Sequence, residues 1–301
     1  QAKVIRLFLE LESTGVTRFG LPKDAIGSLP LPLPPLELQQ RSADYLDAET
    51  THIDQLIQEK EKMLELLEEK RAALISRVVT KGLDDRVPMK ESGLEWIDMI
   101  PAHWRVLQLK RTWISADYGI SDDIRGNGTI KILRMSCIVN GKIDLENAGQ
   151  VEEVDPYLYL EPNDILFNRT NSLDQVAKVG ILDQKPQNPT SFASYLVRIR
   201  TNEFVLPNYL VYLLNSSSFI TFARSNAVAA ISQANLNPTK YGEIHVALPP
   251  GEEQEKIIEM IQNHELETQQ LSKELKLSLE LLRERRSALI TATVTGQLAI
   301  E

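Results

Sequence analysis

The chain has 301 residues, 43% apolar and 25% charged, proportions of an ordinary globular protein of about two domains. Its single cysteine, Cys137, excludes a disulfide framework and suits a reducing, cytoplasmic setting, and no run of about 18 apolar residues offers a membrane span. The net charge of −9 weighs against a nucleic-acid partner until it is divided by segment: residues 86–241 carry 16 Lys and Arg against 16 Asp and Glu, so the acid excess lies on the flanks and the middle is free to present a basic face.

Residues 1–24 read as the remnant of a first globule, with a short apolar stretch at 4–9 and loop composition at 14–22. Residues 25–85 read as a first spacer helix. Pro30, Pro32, Pro34 and Pro35 forbid a helix before position 35; Glu37 then favours the positive end of a helix dipole. Leu46, Ile53, Ile57, Leu64, Leu67, Leu74 and Val78 fall at three- and four-residue steps when Thr50, Lys60 and Arg71 fill the gaps, which is a coiled-coil seam. A helix over 37–80 would be on the order of 66 Å long, with Gly82 just past its end.

Residues 86–241 change character. A compact aromatic and proline segment at 94–104 is followed by period-two stretches at 129–134, 164–167, 177–182 and 194–200, with turn signals at Gly126-Asn127-Gly128 and Asn140-Gly141 and a helix over 207–224. This predicts an α+β globule of about 150 residues. Residues 242–301 read as a second spacer helix with the same kind of seam: Ile258, Ile261, Leu275, Leu279, Leu282 and Leu289, with Glu265, Thr268, Ser272, Arg286 and Thr293 as polar members. The two long helices are expected to pair with each other as an antiparallel coiled coil. They are also a repeat. Residues 27–83 lie on 242–298 without a gap at an offset of 215, and roughly 21 of the 57 positions are identical. Each copy opens on a Leu-Pro-Pro segment, at Leu33-Pro34-Pro35 and at Leu248-Pro249-Pro250.

Enzyme motifs are missing. There is no Gly-x-Gly-x-x-Gly, no phosphate-cradling loop and no zinc-ligand spacing. His52, His103, His245 and His264 are scattered, Cys137 reads as a small buried apolar group, and Asn237-Pro238 lacks the second proline and the aromatic that would hold a flipped base. No catalytic residue and no metal ligand are assigned.

Reading bases needs polar side chains on loops leaving a rigid scaffold. Asn168, Arg169, Thr170 and Asn171 follow the apolar strand ending at Phe167; Ser232, Gln233 and Asn235 precede the second Leu-Pro-Pro segment; Tyr118 and Ser121 form a third, weaker group. Lys110, Arg111, Arg134, Lys178, Arg198 and Arg200 are candidate phosphate contacts, which position without specifying. Trp96, Trp104 and Trp113 read as core, since 6% aromatic residues is low for a base-stacking platform.

Several of these segments resemble the specificity subunit (HsdS type) of type I restriction-modification enzymes. Ser92-Gly93-Leu94-Glu95-Trp96-Ile97 with Ile100-Pro101-Ala102-His103-Trp104 is similar to the opening of that family's target recognition domain, residues 163–169 to its central strand and loop, and Leu248-Pro249-Pro250 with Glu253-Gln254 to its helix opening. The resemblance implies a non-catalytic module that reads half of a bipartite double-stranded DNA target. It also implies methyltransferase subunits docked on helices and globule, restriction subunits joining indirectly, no membrane partner, and S-adenosylmethionine, ATP and magnesium held by those partners rather than by this chain. The departures are a first recognition domain missing apart from residues 1–24, and Leu38 where the second copy has Glu253. The alternative is a coiled-coil scaffold whose globule binds protein.

Overall fold

The computed structural model describes residues 33–121, 128–146, 148–229 and 233–300, with Leu7, Glu10, Leu11, Ser13, Gly20, Pro22 and Gly27 before them. The expected remnant at 1–24, apart from those isolated positions, the turn at Gly126-Asn127 and the candidate Ser232 lie outside the described residues.

Two long helices carry the repeat, α1 (Leu36–Lys81, 46 residues) and α5 (Gly251–Val294, 44 residues). At 1.5 Å per residue α1 is about 69 Å long. Both open in the same way. Pro35 O accepts from the amides of Leu38 and Gln39, and Pro250 O from those of Glu253 and Gln254. Gln39 Nε2 then donates back to Pro34 O at 2.6 Å, and Gln254 Nε2 to Pro249 O at 3.0 Å. The second proline's carbonyl takes the first free amides of the turn, and the glutamine donates to the carbonyl of the proline before it, tying the entry segment to the helix.

By packing, the chain forms two compact units whose limits fall inside both helices. One unit comprises residues 1–69 and 266–301, the other Lys70–Glu265. The reason is local: Val78, Val79, Ile257 and Ile261 are buried within the globule's own core.

In the first unit, Ile53, Leu275 and Leu279 are buried and Leu46, Ile57, Leu64, Leu67, Leu282 and Leu289 half-buried, as the heptad reading expects. Arg286 holds Asp54 through two bonds of 2.8 and 3.0 Å, and Arg283 holds Glu61 at 2.7 Å. Partners rising in one helix as they fall in the other fix the pairing as antiparallel. In the second unit the seam passes through Leu74 and Val78 to Ile257, which is fully buried. Ile258, the position expected, is its half-buried neighbour and packs against the same core; both isoleucines keep three- and four-residue steps with Gln254 and Ile261, and only burial separates them.

The globule in the second unit is a mixed α/β body. Its strands are β1 (Met89–Leu94), β2 (Ile97–Pro101), β3 (Arg105–Gln108), β4 (Trp113–Tyr118), β5 (Ile130–Leu133), β6 (Ile138–Val139), β7 (Lys142–Ile143) and β8 (Ala148–Val151). They continue as β9 (Ile165–Asn168), β10 (Thr170–Asn171), β11 (Val179–Ile181), β12 (Thr190–Phe192), β13 (Leu196–Thr201), β14 (Val228–Ala229), β15 (Ala234–Asn235) and β16 (His245–Leu248). Short helices α2 (Pro207–Leu214), α3 (Ser217–Ser225) and α4 (Pro238–Glu243) intervene. The central sheet has the order β4-β13-β9-β11-β7-β6, with β9 antiparallel to both neighbours. Ile165 and Phe167 face the helices, where Phe167 stacks on Tyr241 at 4.1 Å; Leu166 faces a second cluster with Leu133, Phe192 and Leu196. A strand covered on both faces reads as a continuous apolar run.

The helix expected over 207–224 is two. Asn215 leaves α2 and uses its amide on strand β11, accepting from Val179 N at 3.2 Å and donating to Val179 O at 2.9 Å; Ser216 is extended and starts α3. Trp104 is buried, and Trp96 packs edge-on against Phe219 at 5.2 Å. No described helix is long and apolar enough to cross a membrane.

Candidate nucleic-acid interface

All four residues of strand β9 are buried, and the chain leaves the sheet at Arg169. Arg169 N donates to Tyr195 O at 3.1 Å and Arg169 O accepts from Leu236 N at 2.8 Å, so the departure is held on two sides. From there β10 pairs antiparallel with β15, and β15 with β14. The two polar segments selected from the sequence, some 65 residues apart, thus pair with each other, and Val228–Ala229 adds a third strand to the ribbon. Asn235 Nδ2 donates to Thr170 Oγ1 at 2.8 Å across it, and Asn171 Oδ1 accepts from the amide of Ser172 at 2.8 Å. Gln233 is exposed beside it.

The third group joins the other two. The Arg169 guanidinium lies over the Tyr118 ring, 5.1 Å from its centre, and Nη1 donates to Ser194 O at 3.1 Å. Tyr118 reaches it because Gly119 runs hard against the 192–193 backbone: a Cβ there would sit 2.2 Å from Phe192 O. Ile120 bridges Ala193, and Ser121 is exposed at the end of the described segment. Tyr195 belongs to this surface too, 44% exposed beside Tyr118 at 49%. Sequence reasoning missed it by absorbing it into a strand; it lies in the turn that precedes β13.

Two base-reading candidates are withdrawn from the surface. Asn168 is 1% exposed, with Nδ2 3.4 Å from Met135 O and Oδ1 buried without a partner; Thr170 is 8% exposed and occupied by Asn235. Thr170 braces the ribbon from within, and the Asn168 side chain bonds to the Met135 carbonyl. Arg169, Asn171, Gln233, Asn235, Tyr118 and Ser121 remain on or near it.

The basic candidates also separate. Arg198 is fully buried and is no phosphate contact. It donates to Tyr157 O at 2.8 Å, Tyr159 O at 3.0 Å and Asp117 at 2.9 Å, beneath the Tyr157 ring. Burial pushes the Asp117 carboxyl up, but the bonds from Arg198, Ser115 and Tyr157 outweigh it and hold it below the usual carboxylate range. Arg200 is one-third exposed and held bidentate by the buried Asp164 at 2.6 and 3.1 Å. Lys178 donates to Gln175 at 2.8 Å. Lys110, Arg111 and Arg134 are exposed, the first two on a short 3-10 helix, Leu109–Thr112, packed on α4. Asn237 caps α4, accepting from the amides of Thr239 and Lys240. Burial pushes the Cys137 thiol up to about 12, which makes it inert. Among the described residues no cluster of three or more His, Cys, Asp or Glu is placed to hold a metal ion.

The globule is a mixed α/β body with a polar ribbon raised from its central sheet, and in the chain it lies between two repeated helices. Residues 109–281 match the family model of the type I restriction modification DNA specificity domain. The chain belongs to that family. It is 30% identical over 178 residues to the putative type I restriction enzyme MjaX specificity subunit of Methanocaldococcus jannaschii, a match spanning 55% of this chain and 40% of that one. With the EcoKI specificity subunit of Escherichia coli it shares 23% over 279 residues, 90% of this chain and 58% of that one. The chain therefore spans about half the length of these curated relatives. Its fold matches a chain from a study of complex assembly and conformational transition in a type I R-M system (TM-score 0.75, 15% identity, 99% of this chain and 69% of that one). It also matches the HsdS subunit from Thermoanaerobacter tengcongensis (TM-score 0.59, 15% identity, 99% and 68%).

Proposed function

We propose that this chain is the DNA-reading component of a type I restriction-modification complex and that its globule reads one half of a bipartite double-stranded target. The observation that carries this is the ribbon. Three polar segments separated in sequence converge at one end of the central sheet's strands and leave Arg169, Asn171, Gln233, Asn235 and Tyr118 together. The major groove admits a two-stranded β-ribbon such as the β10–β15 pair, and there arginine pairs with guanine and asparagine or glutamine with adenine. Lys110, Arg111 and Arg134 supply phosphate contacts. The long helices space the globule and offer a dock for methyltransferase subunits, which bring S-adenosylmethionine; ATP, magnesium and restriction subunits belong to the wider assembly, in the cytoplasm. The chain itself contributes no catalytic group.

The test is co-expression with a methyltransferase subunit of the family, followed by genome-wide mapping of methylated adenines. One recurrent half-site motif is expected. Methylation without any motif, or methylation by this chain alone, would overturn the reading.

A further inference from the structure

Two segments singled out in the sequence, Pro101-Ala102-His103-Trp104 and Leu248-Pro249-Pro250 with Glu253-Gln254, meet side chain to side chain. The Glu253 carboxylate lies in the first turn of α5. His103 Nε2 is 2.7 Å from Glu253 Oε2. Trp104 Nε1, on a buried ring, donates to both carboxylate oxygens at 3.2 and 3.3 Å. On the other side stands Gly82, which closes α1 with a positive φ of 76°; a Cβ there would lie 2.8 Å from Glu253 Oε1. One carboxylate thus touches the end of α1, the start of α5 and the opening of the globule. The next residue reinforces the joint: Gln254, fully buried, accepts from Leu206 N at 2.8 Å and donates to Phe204 O at 3.0 Å. The repeat shows that the carboxylate is not needed to start a helix. Its equivalent in the first copy is Leu38, and α1 begins with the same proline and glutamine bonds.

We propose that Glu253 is a positioning residue that fixes the orientation of the recognition globule on its two helix ends. The carboxylate bonds to two side chains of the globule and lies against Gly82, where an apolar side chain would make a greasy, rotatable contact. A short charge-assisted bond and a tryptophan donor define direction as well as distance. The functional consequence rests on the DNA-reading proposal: with the joint fixed, the ribbon and a methyltransferase carried by the helices meet the duplex in one relative phase.

The experiment places nitroxide labels at Glu152→Cys on the globule and Gln262→Cys on α5, both exposed positions, and measures the distance distribution by pulsed EPR. The native chain gives one narrow distribution. Glu253→Leu, which installs the residue of the first copy, broadens it at least twofold. Glu253→Gln, which keeps an acceptor oxygen but presents a donor to Trp104, falls between. Gly82→Ala, pressing on the carboxylate from the opposite side, broadens it as well. An unchanged width in Glu253→Leu and Gly82→Ala overturns the proposal, even if both variants melt earlier, because a merely stabilising contact lowers the melting temperature without widening the distribution. In complex with the methyltransferase subunit, Glu253→Leu should slow methylation at least fivefold with its base preference unchanged; a changed base preference would contradict the role. A native chain with no DNA preference removes the functional consequence and leaves the distance result standing, so the two failures are distinguishable.

Discussion

Arg198→Met replaces a fully buried guanidinium by an unbranched apolar side chain of similar length. Three bonds go: to Tyr157 O at 2.8 Å, to Tyr159 O at 3.0 Å and to Asp117 at 2.9 Å. Breaking a buried ion pair by removing one partner costs about 3–5 kcal/mol, chiefly because the other charge is left desolvated. Asp117 is 18% exposed at the side chain and keeps Ser115 at 2.9 Å and Tyr157 at 3.0 Å, so the lower end, about 3 kcal/mol, applies. For a body of this size that is a fall in melting temperature of about 6–12 °C. Urea unfolding followed by tryptophan fluorescence measures it. Lys110→Ala, at an exposed site, should stay within about 0.5 kcal/mol. Adding Asp117→Asn to Arg198→Met should cost less than the two single losses combined, since the stranded charge is removed with its partner. A loss below about 1 kcal/mol in Arg198→Met, or strict additivity in the cycle, would refute the assignment of Arg198 to the interior.

Three further outcomes are expected. Arg169→Ala or Asn171→Ala should relax base preference by about 1–3 kcal/mol at one position of the target, read by binding selection on randomised duplexes; uniform weakening on every sequence would reassign the residue to the phosphate backbone. Leu275→Ala, 6% exposed in the helix pair, should cost about 2–5 kcal/mol by urea unfolding, and an unchanged midpoint would contradict the seam. Asp117 binds its proton more weakly folded than unfolded, so its contribution is present above the ordinary carboxylate range and is lost as pH falls through its depressed folded value. Unfolding midpoints from neutral to acid pH should therefore fall less steeply in Asp117→Asn than in the native chain, and parallel curves would contradict this.

The long helices were legible because amphipathic periodicity and the 215-residue repeat are one-dimensional signals. Even the polar seam members Thr268 and Thr293 are buried. Ile257 and Ile258 show the limit, since both fit the seam spacing and only burial ranks them. Strands β9, β11 and β13 stand out as apolar runs between turns. The pairing of β3 with β16 does not, because its register joins Arg105–Gln108 to His245–Leu248 with no local trace in either. Alternation in Leu196-Val197-Arg198-Ile199-Arg200 suggested two outward arginines. The Tyr157 and Tyr159 carbonyls, Asp117 and the Phe192 ring cover that face, so Arg198 is interior and Arg200 lies at the margin with Asp164. At the candidate site, loop composition picked the right segments and could not rank the residues within them. Asn168 and Tyr195 exchange roles: the polar residue is buried and the aromatic one exposed, which follows from where the strands end rather than from residue type.

The central claim, that the globule reads DNA, is tested most directly by the binding of this chain to short duplexes between about 50 and about 200 mM salt, by fluorescence anisotropy. The account predicts affinity that falls at least tenfold across that range, as release of counterions from several phosphates requires, with a recurrent half-site favoured over random sequence. Absence of binding at the low-salt end, or binding indifferent to both salt and sequence, would contradict it.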